Sequence, residues 1–247
     1  MKLNNISLLL AGMLLSGAAC ASSSSVTTRL SDLNISVFDL TPDDGIQSTF
    51  AITDSSTTIS AYVGNGTQQW LQELSPSAAA TVDAAGLASA SQAAWGGKFG
   101  GFDLTSNSAS NGTMASTYVT QRITLTLAPH TGLVAEGWLS MTGHQATAQS
   151  TWVQEVYIDL MPSNSAGYGE YRFKKRATSW PTGEFDSNQP ITMSFVNTSD
   201  VARNVYFSLN GHTFVNTVGL VPEPSTYAML GAGLLALGLH ARRRRTR

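Results

Sequence analysis

Thr151-Trp152-Val153-Gln154-Glu155-Val156-Tyr157-Ile158-Asp159-Leu160 places Trp152, Gln154, Val156, Ile158 and Leu160 on one face and Val153, Glu155, Tyr157 and Asp159 on the other. A period of two with this contrast is a β-strand that faces a core on its Trp152 side. The same alternation recurs outward in both directions. Ile123, Leu125 and Leu127 alternate with Thr124 and Thr126 up to a turn at Pro129-His130-Thr131-Gly132, and residues 133–141 return. Ile191, Met193 and Phe195, then Val205, Phe207 and Leu209, repeat the pattern towards the C-terminus. Towards the N-terminus, Leu33, Ile35 and Val37 share one face of a strand, Phe50 and Ile52 one of a second, and Ile59, Ala61 and Val63 one of a third. Pro42-Asp43-Asp44-Gly45 and Asn65-Gly66 punctuate them as turns.

Roughly eight to ten strands at this spacing predict an all-β fold, an antiparallel β-sandwich of jelly-roll type. Residues 77–94 are rich in Ala and Ser, with Gly86 and few large apolar side chains, and read as a loop or a poorly packed edge insertion. Residues 105–116 are polar, with Asn111-Gly112 as a turn, 163–169 read as an exposed loop, and 22–25 as a flexible start. No repeat of fixed period is present.

Composition agrees with this class. The chain has 247 residues, of which 12% are charged and 42% hydrophobic. Serine and threonine supply 30 and 27 positions, so hydroxyls rather than Lys and Glu carry the polarity, which disfavours a helical bundle or coiled coil. Residues 22–220 hold eight basic and fifteen acidic side chains, a formal charge of −7 that excludes broad polyanion binding and gives no case for nucleic acid.

The two ends of the chain are of another kind. Met1-Lys2, an apolar run from Ile6 to Leu15 and the small residues Ser16-Gly17-Ala18-Ala19-Cys20-Ala21 make a signal peptide over 1–21, with Ser22 the first mature residue. Cys20, the single cysteine, leaves with it. Acylation of Cys20 as a lipoprotein is the rival reading, against which stands Gly17 where a Leu is usual. At the other end Val221-Pro222-Glu223-Pro224-Ser225 precedes an apolar stretch, 226–241, and then Arg242, Arg243, Arg244, Arg245 and Arg247. The prolines stop any helix from running on and hold Glu223 in extended chain. Sixteen residues of helix reach about 24 Å, a marginal span, and the arginines act as a cytoplasmic stop that keeps residues 22–220 on the opposite side.

This order of Pro-Glu-Pro, short apolar helix and terminal arginines resembles the PEP-CTERM sorting signal of Gram-negative bacteria. The resemblance implies that residues 221–247 are processed by an exosortase after passage through the Sec export machinery, from a precursor held in the inner membrane. It implies further that the product is released or attached at the cell surface, in bacteria that make exopolysaccharide. Val37-Phe38-Asp39-Leu40-Thr41-Pro42-Asp43-Asp44-Gly45-Ile46, Leu125-Thr126-Leu127-Ala128-Pro129-His130-Thr131 and Met193-Ser194-Phe195-Val196-Asn197-Thr198-Ser199 are similar to strands of a group of exported PEP-CTERM proteins of unassigned activity. That similarity supplies no catalytic residue.

Between the signals the chemistry is sparse. His130, His144, His212 and His240 form no HExxH pair or close cluster, and no Gly-x-Ser-x-Gly elbow, P-loop or dinucleotide fingerprint is present. Glu155 and Asp159, four residues apart on a strand, stand about 13 Å apart, too far for a glycosidase pair. Asp39, Asp43 and Asp44 suit either a calcium loop or a plain turn in which Asp bonds its own backbone. Trp95-Gly96-Gly97-Lys98-Phe99-Gly100-Gly101-Phe102 suits either a sugar-stacking platform or a Gly-rich loop pinned to the core by Trp95 and Phe99. Lys174-Lys175-Arg176 reads as a solvated strand edge. The expectation is an exported, non-enzymatic surface or matrix protein without cofactor, associated with envelope or exopolysaccharide. A carbohydrate-binding module and a secreted hydrolase are the alternatives.

Overall fold

The computed structural model describes residues 23–217, except 32, 66, 87, 110–111, 146–149, 163–170 and 180–183, together with the single residue 233. The signal peptide, the 163–169 loop and, apart from that one position, the sorting tail lie outside the described residues. Among the described residues no helix is long and apolar enough to cross a membrane.

Thirteen strands are present among the described residues. In chain order they are β1 (Ser24–Leu30), β2 (Asn34–Asp39), β3 (Phe50–Gly64), β4 (Gln69–Leu74), β5 (Ala80–Gly86), β6 (Ser89–Trp95), β7 (Phe102–Ser108), β8 (Thr113–Leu127), β9 (Thr131–His144), β10 (Thr151–Pro162), β11 (Tyr171–Thr178), β12 (Glu184–Asn197) and β13 (Arg203–Thr217). They form two antiparallel sheets. One runs β12-β9-β1-β7-β6-β5, with β2 also on β9, and the other runs β11-β10-β13-β8-β3-β4.

The sheets pack face to face as a sandwich. Trp152, Val156, Ile158 and Leu160 of β10 are fully buried, with Val119, Leu125 and Leu127 of β8 and Val205, Phe207 and Leu209 of β13. Against them stand Val26, Leu30, Leu104, Leu133, Leu139 and Met141 of the other sheet. Gly211 marks how close the layers come, since a Cβ there would lie 2.8 Å from Phe102 and 3.1 Å from Leu104. The alternation that identified the strands is therefore the alternation that fills the core.

Four expectations need correction. Residues 80–86 and 89–95 are a hairpin, β5–β6, at one edge of the first sheet, so of the two readings the loop falls and the edge position stands. Its inward positions are Val82, Ala84, Ser89, Ser91 and Ala93, small side chains buried against β3 and β8 of the other sheet. Ser24 and Ser25 are the start of β1, paired with Ser108 and Asn107, and not a flexible lead. The two strands expected around Ile52 and Ile59 are one strand, β3, which follows β8 throughout and absorbs a register shift between Ile52 and Asp54. Leu33 lies outside β2, buried in the link between β1 and β2, both of which pair with the same strand, β9. The strand number accordingly exceeds the eight to ten expected.

Candidate functional site

The sequence motif with the most specific chemistry, Val221 to Ser225, lies outside the described residues; the structure positions the place from which it leaves. β13 ends at Thr217 beside the turn between β7 and β8. Gly112 N–H donates to the Thr217 carbonyl at 2.6 Å, and the Thr217 hydroxyl donates to the Ser108 carbonyl at 3.1 Å. Ser24, where the domain begins, pairs with Ser108. Both ends of the sandwich therefore lie at one end of the molecule, called here the tail end.

The interior at the tail end is built from hydroxyls. Ser89, Ser106, Ser108, Thr113, Thr117, Thr213 and Thr217 are buried. Ser89 donates to Thr113 at 2.8 Å, Ser108 and Thr113 share a bond of 2.7 Å, and Ser106 and Thr213 another of 2.7 Å. Buried polar groups are tolerated when paired in this way, and the pairs cross between sheets, so they fix how the last strand sits. Serine and threonine in a strand read as solvent-facing, so composition gave no signal for this cluster.

The connections at the tail end carry no charge, although Glu184, which opens β12 in register with His144, stands beside them. Asn65-Gly66-Thr67-Gln68, Leu87-Ala88, Ala109-Ser110-Asn111-Gly112, residues 145–150 and residues 179–183 contain no Asp, Glu, Lys or Arg. The opposite end carries Asp43, Asp44 and Asp200 in its connections, with Asp39 closing β2 beside them and Lys98 in the link between β6 and β7. Asp39 accepts from the Thr41 N–H at 2.8 Å and Asp44 from the Ile46 N–H at 2.7 Å, while Asp44 N–H donates to the Thr41 carbonyl at 3.0 Å. These bonds hold the Asp44 carboxyl below the usual range, with the Thr41 hydroxyl the largest cause and the Ile46 N–H next. The plain turn is the geometry present, and among the described residues no three His, Cys, Asp or Glu side chains converge to hold a metal.

The remaining candidate residues lie apart. His130 Nε2 is 2.8 Å from Asp200 at the acidic end, and His144 contacts Glu184 on the outer face of the first sheet. His212 is on the outer face of the second sheet, opposite Glu155 on β10 and Tyr118 on β8. Burial pushes its pKa down, and Glu155 opposes that only in part. His240 lies outside the described residues. Glu155 and Asp159 face outward into β11, where Lys174 is 3.5 Å and Arg176 4.0 Å from Glu155, and Arg172 is 2.6 Å from Asp159. The Lys174-Lys175-Arg176 run is thus on the edge strand, as expected of a solvated, charged edge.

The aromatic stretch at 95–102 turns inward, which overturns the sugar-platform alternative. Phe99 meets Phe207 edge-on at 4.7 Å, Phe102 is buried, and the Trp95 indole donates to the Lys98 carbonyl at 2.7 Å. Gly97 and Gly100 supply the left-handed φ values of 85° and 90° that this tight loop requires.

No curated protein matches the chain. Residues 220–245, in the segment that follows β13, fit the family model of the PEP-CTERM protein-sorting motif, so the chain carries a PEP-CTERM sorting signal at this end.

Proposed function

We propose that this protein is an exported, non-enzymatic component of the cell surface or extracellular matrix, associated with envelope or exopolysaccharide. In this reading the tail at 221–247 hands a folded β-sandwich to an exosortase, after Sec-dependent export and removal of residues 1–21. The carrying observation is the sorting motif at 220–245, which implies an exported, membrane-anchored precursor that an exosortase processes. In the precursor, residues 226–241 sit in the inner membrane, the arginines from Arg242 to Arg247 stay in the cytoplasm, and Pro222-Glu223-Pro224 stands at the outer boundary. The non-enzymatic part of the reading is supported by the engagement of Glu155 and Asp159 in ion pairs and by the separation of the described histidines.

The experiment compares wild type with Glu223→Ala in cells with and without the exosortase. Glu223→Ala leaves the apolar segment and arginines intact, so insertion persists while processing stops. A wild-type chain that stays full-length and membrane-bound in the enzyme's presence overturns the reading.

Carbohydrate binding is the second reading, supported by a surface other than residues 95–102. Tyr118 and Tyr206 stand 42% and 44% exposed on the outer face of the second sheet, with Asn210 between them as a hydrogen-bonding amide. Rings beside amides and hydroxyls suit the apolar faces and hydroxyls of a glycan. Slower migration of the protein in a gel containing polysaccharide, lost in Tyr118→Ala, would favour it.

A further inference from the structure

The strands fix a length scale that the tail must respect. β8 runs 15 residues from one end of the sandwich to the other, about 50 Å at 3.3 Å per residue. From Thr217 to Pro222 is five residue steps, at most about 18 Å of fully extended chain. A Pro-Glu-Pro segment at the membrane boundary therefore brings the tail end of the sandwich to within about 18 Å of that boundary, and the acidic end cannot approach it in the same way.

We infer that the tail end of the sandwich, presented by Asn65, Thr67, Gln68, Ala88, Ala109 and Gly112, is a docking surface for the extracytoplasmic face of the membrane-embedded processing enzyme. This rests on the sorting reading above. The tether argument selects this end, and its chemistry fits the contact. These residues are uncharged, and Glu184, which stands at the same end in register with His144 and Ser25, is already paired with His144, so close approach of a protein surface has little unpaired charge to desolvate. The acidic connections, with Asp43, Asp44 and Asp200, and the Asp39 end of β2 are at the far end. Turns at the tail end are closed by the domain's own backbone bonds: Asn65 N–H donates to the Gln68 carbonyl at 3.1 Å, and Ala109 N–H to the Ala88 carbonyl at 3.1 Å. The surface is thus preformed, and the hydroxyl cluster beneath it holds Thr217 in place. The enzyme reads the motif on a chain that starts from a fixed Thr217, so recognition extends beyond the tail.

The test uses the full chain in cells that contain the exosortase, with the half-time of precursor conversion as the readout. Gln68→Glu combined with Ala88→Asp adds two charges at exposed tail-end positions, and Asp tolerates the left-handed φ of 58° at residue 88. Gln47→Glu combined with Thr49→Glu adds the same charge at the far end. The tail-end pair should convert about fivefold more slowly, the far-end pair at the wild-type rate. A flexible Gly-Ser insert of about twelve residues between 219 and 220 spans roughly 20 Å and should restore the tail-end pair to the rate of the insert alone. Equal rates for the two pairs, or slowing that survives the insert, would overturn the docking surface. Slowing seen in cells but absent with detergent-solubilised enzyme would assign the contact to lipid and overturn it as well. Failure of wild type to convert at all would instead overturn the sorting reading.

Discussion

Thr217, the last residue of the last strand in one sheet, donates its hydroxyl to the backbone carbonyl of Ser108 in the other at 3.1 Å. Thr217 is only 4% exposed, so this carbonyl has little water to turn to if the hydroxyl is removed. Thr217→Val keeps the shape and loses the donor, which should cost about 1–2 kcal/mol and lower the melting temperature by a few degrees. Thr217→Ser keeps the bond and should cost less. Thermal unfolding of the two variants side by side checks the order, and a Thr217→Val protein that melts with wild type would contradict the role given to this contact.

Two glycines under aromatic rings make a sharper comparison. An alanine Cβ at 143 would stand 2.6 Å from the ring of Trp152, which is fully buried and packs against Phe185 at 6.1 Å. At 132 the clash is nominally worse, 2.1 Å from Phe38, yet that ring is 43% exposed and free to swing outward. Gly143→Ala should therefore cost about 1–3 kcal/mol and Gly132→Ala clearly less. Urea midpoints at equal m-values decide it, and the reverse order would show that the layer around Trp152 yields more easily than its burial implies.

What the sequence disclosed follows from side-chain contrast. Residues 151–160 were legible because β10 buries one face and solvates the other, with Trp152 and Ile158 set against Glu155 and Asp159. The β5–β6 hairpin was not, because Ala84, Ser91 and Ala93 bury no more apolar bulk inward than Ala85 and Ala90 present outward. A lone bulge split β3 in two when read by parity alone. The tail motif was legible because a partner reads it as linear chain. The site from which it leaves was not, since the meeting of Ser24, Ser108 and Thr217 depends on register between strands far apart in the chain.

Export should release a protein that starts at Ser22. Ala19 and Ala21 satisfy the small-residue rule for cleavage, and β1 begins two positions later with a Ser24 side chain that is fully buried. Cleavage beyond Ser25 would strip paired residues from β1 opposite Ser108 and His144. Mass spectrometry of the N-terminal peptide of the exported form should therefore find Ser22 first. A diacylglyceryl group on Cys20, or a start within β1, would refute this assignment.

Stability should fall on mild acidification because of His212. Its burial on the second sheet disfavours the imidazolium, so the folded pKa lies below the ordinary value of 6.5, and the neighbouring Glu155 does not cancel the effect. The facing groups are Glu155 on β10, itself paired with Lys174 and Arg176 on β11, and Tyr118 on β8, whose ring centre is 6.0 Å away. Between the folded and unfolded values the unfolded chain binds the extra proton, and stability rises with pH wherever the unfolded state holds more protons. The contribution is therefore complete above about pH 6.5 and is lost as the pH falls through the depressed folded value. Urea unfolding of wild type and His212→Asn at pH 7.5 and 5.5 isolates this group from the other histidines. Wild type should lose more stability between the two pH values than the variant does, and equal losses would mean that protonation of His212 is not opposed by its place in the sheet.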